Sequence, residues 1–418
     1  MILQGKGKMM NNKDLQSTFI RDAKESFIVN VREFGMYLAL AAIMIFFTVM
    51  TDGIFISSRN ISNLINQTGY IAVLAVGMTL VIILRHIDLS VGYLSGFLGA
   101  IVGIAMTQWG IHESLSIVLV MIVGVIAGLA AGFLVAQLKI PAFVATLAGW
   151  LGYRGAIQLA LSAKGSIIIP NKGFNAIHDG FIPEIPGISF LPGVHKTTLL
   201  LGMLLIVFYV FRSIRARIKT REYSFKVVDI KLFIVQQIFT SVLIGGITWI
   251  LAGYRGLSWT AIVVLVVVLI YNFIMNQTFL GRHIYAVGGN PEAAELSGIS
   301  VKKITYTVFA SMGMLAGLSG ILYAARLHSS TTKAGELFEL DAIAAAFVGG
   351  ASPTGGIGKV TGSVVGALVM MSLTNGMNLM GVDKSYQYIV RAAVLAIAVI
   401  FDVATRRAGK SSVAEKSK

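Results

Sequence analysis

The chain has 418 residues, of which 56% are hydrophobic and only 13% carry a charge. Soluble domains carry about 25% charged residues, so this composition argues against a soluble protein and predicts a membrane protein. The absence of cysteine excludes disulfides and cysteine nucleophiles. The net charge of +15 fits either an acidic partner such as nucleic acid or the Lys and Arg of cytoplasmic loops, and the apolar composition favours the second.

Long apolar stretches follow one another along the chain. The longer ones have at least about 17 residues, close to the length that a helix needs to cross a ~30 Å hydrocarbon layer. Because a bilayer offers no water to open backbone groups, we expect these stretches to be helical. They are Phe34–Met50, Thr68–Leu84, Leu89–Met106, Ser114–Leu138, Phe143–Ser162, Thr197–Phe211, Leu232–Ala252, Ser258–Met275, Ile304–Ala325, Leu340–Gly350, Val360–Met380 and Tyr386–Phe401. The predicted fold is an all-α polytopic membrane protein with ten to twelve transmembrane helices, in which the short Leu340–Gly350 is a candidate re-entrant half-helix.

The distribution of Lys and Arg predicts the orientation. These residues concentrate in a tail at 1–33, a basic loop at 212–231, a loop at 277–303 and a second tail at 404–418. Such segments are retained on the cytoplasmic side, so we expect both termini to be cytoplasmic and residues 34–403 to form the transmembrane domain. Cytoplasmic termini require an even number of crossings. Twelve crossings satisfy this, and so do ten if residues 212–231 and their flanking spans are misread.

Two further features fall outside this layout. The Pro- and Gly-rich segment Lys164–Lys196 is predicted to face outward, where it either receives a partner or simply covers the membrane surface. The four tryptophans lie mostly near predicted span ends, which is typical of an interfacial belt. They are Trp109, Trp150, Trp249 and Trp259.

Enzymatic motifs are missing from the sequence. It contains no phosphate-binding GxxxxGK[ST] loop, no HExxH zinc pattern and no GxSxG elbow. We therefore predict that the chain is not an enzyme and has no catalytic residue, metal site or cofactor. If it transports actively, the energy must come from a partner subunit or an ion gradient. No acidic residue falls at the centre of a predicted span, which disfavours an ion-coupled carrier without excluding it.

Two polar breaks between spans are candidates for the translocation path. Asp88 and Ser90 lie in the short turn before Leu89–Met106, and Glu339 and Asp341 lie at the start of Leu340–Gly350. Their oxygens suit helix N-termini, where they accept free N–H groups. Irregular polar backbone inside a membrane also lines cavities. The sequence leaves capping and path-lining open for all four residues.

A short helix is predicted within the cytoplasmic loop Gln277–Lys303. Asn290 is a suitable N-cap, Pro291 suits the first helical position, and Gly298 ends the helix. The helix would present Ala293, Ala294 and Leu296 as a small apolar surface. This surface either docks on a partner or lies on lipid, and the acidic residues of the helix argue against an anionic lipid surface.

Four motifs together resemble one family. Ile87–Gly92, Pro141–Leu147, Gly281–Ile299 and Leu340–Ala345 occur in this order. The set is similar to the permease subunit of bacterial sugar ABC importers that serve ribose, xylose and galactose. The long region around 197–252 is most like the xylose-type members. At two places the chain departs from the pattern, because Glu295 stands where members often carry arginine and Arg85-His86 replace smaller or less basic residues.

The resemblance implies an ABC importer permease fold, a homodimer in the bacterial inner membrane, a separate ATP-binding subunit and an extracytoplasmic sugar-binding protein, with no nucleic acid partner. Xylose is the first expected cargo, followed by galactose or another pentose or hexose. The implied ATPase-coupling residues are Asn290, Pro291, Glu292, Ala293, Ala294, Glu295, Leu296, Ser297, Gly298 and Ile299. The alternative function is an ion-coupled secondary sugar carrier.

Overall fold

The computed structural model describes residues 31–162, 165–186, 193–223, 227, 229–397 and 400. Residues 1–30 and 404–418, which make up most of the two predicted tails, lie outside the described residues. The helices are α1 Val31–Met50, α2 Ser58–Ile83, α3 Val91–Thr107, α4 Glu113–Ala136, α5 Ala142–Ala160, α6 Lys172–Asp179, α7 Lys196–Glu222, α8 Ile230–Ala252, α9 Trp259–Gln277, α10 Phe279–Gly289, α11 Pro291–Leu296, α12 Val301–Leu327, α13 Phe338–Val348, α14 Val360–Leu379 and α15 at 384–397. The strands are β1 Ser166–Ile168 and β2 Ser329–Thr331.

The predicted all-α membrane fold is confirmed. Within the described residues, 7 helices are long and apolar enough to cross a membrane. Helix α13 has 11 residues, a length of about 16 Å, so it is too short to span, as expected for the half-helix.

Helices α2 and α12 form the centre of the bundle. Their most apolar windows are 89% and 72% buried inside the protein, whereas those of α7 and α8 are only 11% and 6% buried. Helix α12 approaches α4 closely, because a Cβ on Gly313 would overlap the Gly124 carbonyl and one on Gly128 would overlap the Phe309 carbonyl. Small residues permit such contact between membrane helices. Helices α7 and α8 instead form a peripheral pair.

The prediction of a basic loop at 212–231 is wrong for its first half. Helix α7 continues beyond the apolar run to Glu222. Arg and Lys are good helix formers, and the Arg215 and Arg217 guanidinium groups lie over the rings of Phe211 and Phe233, at 4.5 and 4.7 Å from the ring centroids. The basic residues therefore extend a helix instead of interrupting it.

The segment predicted to face outward is folded over one end of the bundle. Strand β1 pairs with β2 in antiparallel register, with Ile167 opposite Ser330. Asn175 donates a hydrogen bond to the Ile169 carbonyl at 2.8 Å, and Thr260 donates one to the Ile177 carbonyl at 2.9 Å. These strands are not predicted by the sequence, because three-residue strands leave no periodic signal.

Candidate coupling segment and translocation path

The short helix α11 has the caps that the sequence predicts. The Asn290 side chain accepts a hydrogen bond from the Ala293 N–H at 3.0 Å, and Pro291 occupies the first helical position. Gly298 follows the helix with a φ of +83°, a conformation that glycine adopts without steric cost. Ser297 donates to the Ala293 carbonyl at 2.8 Å. These local contacts hold α11 as a defined element.

The surface of α11 differs from the predicted one. Ala294 is only 4% exposed and packs into the bundle, whereas Leu296 is 91% exposed. Ala293 and the carboxylates Glu292 and Glu295 also face solvent. Ala294 was wrongly assigned to the exposed face because a single turn of helix does not show which side meets the bundle. The exposed surface is thus Leu296 and Ala293, flanked by acids, while Ile299 is half-buried.

A second helix, α10, precedes α11 and was not predicted. It begins after Thr278, whose hydroxyl accepts a hydrogen bond from the Gly281 N–H at 3.3 Å. A Cβ on Gly281 would overlap the Met275 carbonyl at the end of α9. The signal available in the sequence was Thr278, a residue type that caps helix N-termini. Helix α10 connects α9 to α11.

Arg85 ties the end of α10 to the end of α2. Its Nε donates to the Gly288 carbonyl at 2.7 Å, and its Nη2 donates to the Gly289 carbonyl. Arginine commonly binds the free carbonyls at helix C-termini. Nearby, Tyr285 donates to the Gly358 carbonyl at 2.8 Å. The turn of Arg85 and the loop after α13 therefore both contact the segment that carries α11.

Asp88 and Ser90 bind each other instead of capping α3. Asp88 Oδ1 accepts from the Ser90 N–H at 2.9 Å and from the Ser90 hydroxyl at 2.6 Å, and Ser90 makes no side-chain bond to the α3 N-terminus. Of the two roles that the sequence leaves open for Ser90, the structure does not show capping. Both residues are 3% exposed and lie against α5, where Thr146 donates to the Ile87 carbonyl at 3.3 Å. The pair stabilises a polar break inside the bundle, as an aspartate turn does.

Glu339 is a buried carboxyl where α3, α5 and α13 meet. It is 4% exposed, and its Oε1 accepts a hydrogen bond from Trp150 Nε1 at 3.0 Å. Its Oε2 is buried without a hydrogen-bond partner among the described residues. A Cβ on Gly92 would overlap this Oε2. The start of α13 thus meets the start of α3 within the bundle.

Trp150 departs from the predicted interfacial belt. It lies in the middle of α5, and its indole is bound to Glu339. Tyr93 packs edge-on against it with ring centroids 5.0 Å apart. A carboxyl acceptor from a distant part of the chain explains its position, because a buried indole N–H needs an acceptor.

Asp341 lies one turn from the start of α13 and forms an ion pair with Arg391 of α15. Both side chains are mostly buried, at 12% and 16% exposure. Arg391 falls within a predicted span, but the sequence does not indicate its pairing with Asp341, since the partners are separated by 50 positions. Asp88, Ser90, Glu339 and Asp341 all lie at polar breaks, and Glu339 links the start of α13 to Trp150 of α5.

The opposite end of the bundle carries a charged groove of about 500 Å³ beside α6. His328 Nε2 and Asp179 Oδ2 are 2.7 Å apart at its edge. Burial, aided by the Arg326 charge, lowers the pKa of nearby His178 to about 4. His178 is therefore neutral near pH 7, and Lys172, Asp179 and His328 supply the polar groups of the groove.

Apolar helices interrupted by buried polar breaks are common in membrane transporters. The chain belongs to the family described as the branched-chain amino acid transport system / permease component, whose model matches residues 60–399. It is therefore a multi-pass membrane protein of a transport family.

Individual relatives resemble almost the whole chain. It is 38% identical over 380 residues to the xylose transport system permease protein XylH of Haemophilus influenzae, covering 91% of this chain and 98% of the relative. The Escherichia coli K12 XylH is 38% identical over 379 residues, covering 91% and 93%. The ribose import permease protein RbsC of Escherichia coli K12 is 34% identical over 348 residues, covering 83% and 87%. No solved structure matches this chain.

Proposed function

We propose that this chain is the membrane-spanning permease of an ATP-driven monosaccharide importer, with D-xylose as the first candidate cargo. The observation that carries the proposal is the 38% identity to xylose transport system permeases over 91% of the chain. The family match agrees with it. The cargo is delivered by an extracytoplasmic sugar-binding protein, and ATP is hydrolysed by a separate subunit.

The segment Asn290–Ile299 receives the ATP-binding subunit in this proposal. Leu296 is 91% exposed, and a projecting leucine on a capped, rigid element suits insertion into an apolar groove of a partner. In this proposal the segment and both termini lie on the cytoplasmic side, which the Lys- and Arg-rich composition of the tails supports. The opposite groove, with Asp179 and His328, then faces the sugar-binding protein.

The exposed face of α5 supports a homodimer. Gly152 and Gly155 have no neighbouring atom within 4 Å of an added Cβ. The Arg154 side chain, on the same helix, is exposed. A guanidinium within a span is costly to place in lipid and normally faces protein or a water-filled cavity. A second copy across a central path supplies both, with α5 lining that path beside Asp88 and Ser90.

An ion-coupled sugar carrier is the second candidate. The buried Glu339, whose Oε2 has no hydrogen-bond partner among the described residues, is the observation that favours it, since such carriers use intramembrane carboxyls. The described residues contain no group of three or more His, Cys, Asp or Glu that would hold a metal ion. The two candidates differ in whether ATP or an ion gradient drives uptake.

ATP hydrolysis in lipid nanodiscs tests the importer proposal. The permease is combined with the ATP-binding subunit and the xylose-binding protein encoded in the same genome. We expect hydrolysis to rise when the binding protein carries D-xylose. The proposal would be contradicted if the complex does not form, or if the rate of ATP hydrolysis is the same with and without the D-xylose-loaded binding protein.

Arg85 is expected to transmit motion of the coupling segment to the polar break at Asp88. Arg85→Ala removes two hydrogen bonds to the Gly288 and Gly289 carbonyls, and bonds to a charged donor contribute about 1.5–3 kcal/mol each. We expect D-xylose imported per ATP hydrolysed to fall about tenfold, equivalent to about 1.4 kcal/mol of lost coupling.

The matched control for Arg85 is Lys139→Ala. Lys139 shares the left-handed backbone, with a φ of +56° against +65° for Arg85, and its side chain is exposed. Its replacement is expected to leave the ratio unchanged. An unchanged ratio in Arg85→Ala as well would remove Arg85 from the coupling route.

A further inference from the structure

A cavity of about 290 Å³ lies between α13, α14 and α15. Most of its wall is apolar, from Leu337, Leu340, Ala344, Met370 and Leu395. Three polar side chains, Asp341, Tyr388 and Arg391, line the same space. Apolar walls with a few convergent polar groups are typical of small-molecule sites.

The polar side chains of this cavity have hydrogen-bond donors and acceptors that are available to a ligand. Asp341 Oδ1 accepts from Arg391 Nη2. Within the described residues, neither the second carboxylate oxygen nor the other guanidinium N–H groups have a hydrogen-bond partner, and none of these atoms is fully buried. Tyr388 is 49% exposed. The ion pair therefore presents a free acceptor and free donors to the cavity.

The charge and size of the cavity select a class of ligand. The Asp341–Arg391 pair has no net charge, so it suits a neutral molecule rich in hydroxyl groups better than an isolated cation or anion. A carboxylate accepts hydrogen bonds from hydroxyls and a guanidinium donates to their oxygens. The volume of 290 Å³ is that of roughly ten molecules of liquid water. A pentose has about the same number of non-hydrogen atoms, so the cavity is of a size to hold one pentose molecule.

The location of the cavity agrees with a role in transport. Asp341 lies in the first turn of α13. A Cβ on Gly335, just before this helix, would overlap the Gly92 carbonyl at the start of α3. The cavity thus adjoins the polar break at which two helices begin inside the bundle. All of its lining residues fall within 34–403, the predicted transmembrane domain.

We propose that this cavity is a monosaccharide subsite on the translocation path, in which Asp341 and Arg391 bind the sugar hydroxyls and Tyr388 adds a further hydrogen bond. This inference rests on the proposed importer function. The sugar passes from the binding protein to this subsite and leaves when the helices rearrange.

Protection of an introduced cysteine tests the subsite. The chain has no cysteine, so a single Cys is the only thiol of the permease. Ala392→Cys places the thiol at the cavity wall, whereas Ala393→Cys places it one position along the same helix, outside the cavity lining. Both alanines are exposed. The rate of modification by methyl methanethiosulfonate is measured in nanodiscs with and without D-xylose.

We expect D-xylose to slow modification of Ala392→Cys and not of Ala393→Cys. At about three times its Kd the sugar would occupy the site enough to slow the reaction about fourfold. In the Ala392→Cys background, Tyr388→Phe should shift the protecting D-xylose concentration upward by roughly threefold, the effect of one hydrogen bond. Tyr386→Phe, on the same helix but outside the cavity lining, should leave it unchanged.

Equal rates with and without D-xylose at saturating sugar would overturn the subsite, provided that the same variant imports D-xylose. If Ala392→Cys does not import, Leu395→Cys takes its place at the wall. Protection that persists unchanged in both Tyr388→Phe and Asp341→Asn would also overturn it. A wild-type complex that imports no D-xylose would instead contradict the proposed function.

Discussion

Leu296→Arg is expected to prevent association with the ATP-binding subunit. Leu296 is 91% exposed on α11, and burying a leucine side chain contributes about 1.5–3 kcal/mol. Arginine would lose this contribution and bring an unpaired charge into an apolar groove, at further cost. We expect the Kd of the complex to rise by at least about tenfold, as measured by co-purification and by titration in nanodiscs.

The control for this prediction is Leu138→Arg. Leu138 is 53% exposed in the turn after α4, on the same predicted cytoplasmic side. Leu138→Arg makes the same change of residue type and charge as Leu296→Arg, but at a position outside α11. Loss of binding in both variants would indicate a general effect of charge, and retained binding in Leu296→Arg would remove α11 from the interface.

Gly92→Ala has the second large expected effect. Its Cβ would overlap Glu339 Oε2 and lie 2.6 Å from the Gly335 carbonyl oxygen, and the backbone atom cannot move aside like a flexible side chain. Overpacking of this kind costs about 1–3 kcal/mol. We expect a lower thermal unfolding temperature in detergent and strongly reduced D-xylose uptake, because the starts of α3 and α13 are forced apart.

Gly246→Ala, in the peripheral helix α8, is the matched glycine control. It lies within a helix, and an added Cβ meets no atom within 4 Å. Alanine in a helix interior is more stable than glycine by roughly 0.5–1 kcal/mol, so the unfolding temperature should not fall. Equal unfolding temperatures and uptake for Gly92→Ala and wild type would contradict the close approach of α3 and α13.

Local chemistry explains what the sequence could predict. The caps of α11 follow from Asn290, Pro291 and Gly298, because each residue acts within one turn. Helix α13 was likewise predictable as a short helix from its length and flanking glycines. These features depend on neighbours in the chain and need no knowledge of packing.

The missed features depend on distant partners. From the sequence alone, Trp150 is typical of an interfacial residue. The fold brings Glu339, which is far along the chain, to its indole N–H. The position of Arg391 within a span is explained only by its ion pair with Asp341. Ala294 is indistinguishable from Ala293 in sequence, and only the docking of α11 on the bundle buries one of them. Tertiary contacts of this kind leave no periodic or local signal.

Uptake of D-xylose into proteoliposomes distinguishes ATP-driven import from ion-coupled transport. The permease, the ATP-binding subunit and the sugar-binding protein are reconstituted without an ion gradient, with ATP on the side of α11. We predict accumulation of D-xylose that requires ATP and the binding protein. Accumulation by the permease alone under a proton or sodium gradient, with no response to ATP, would contradict the account and identify an ion-coupled carrier.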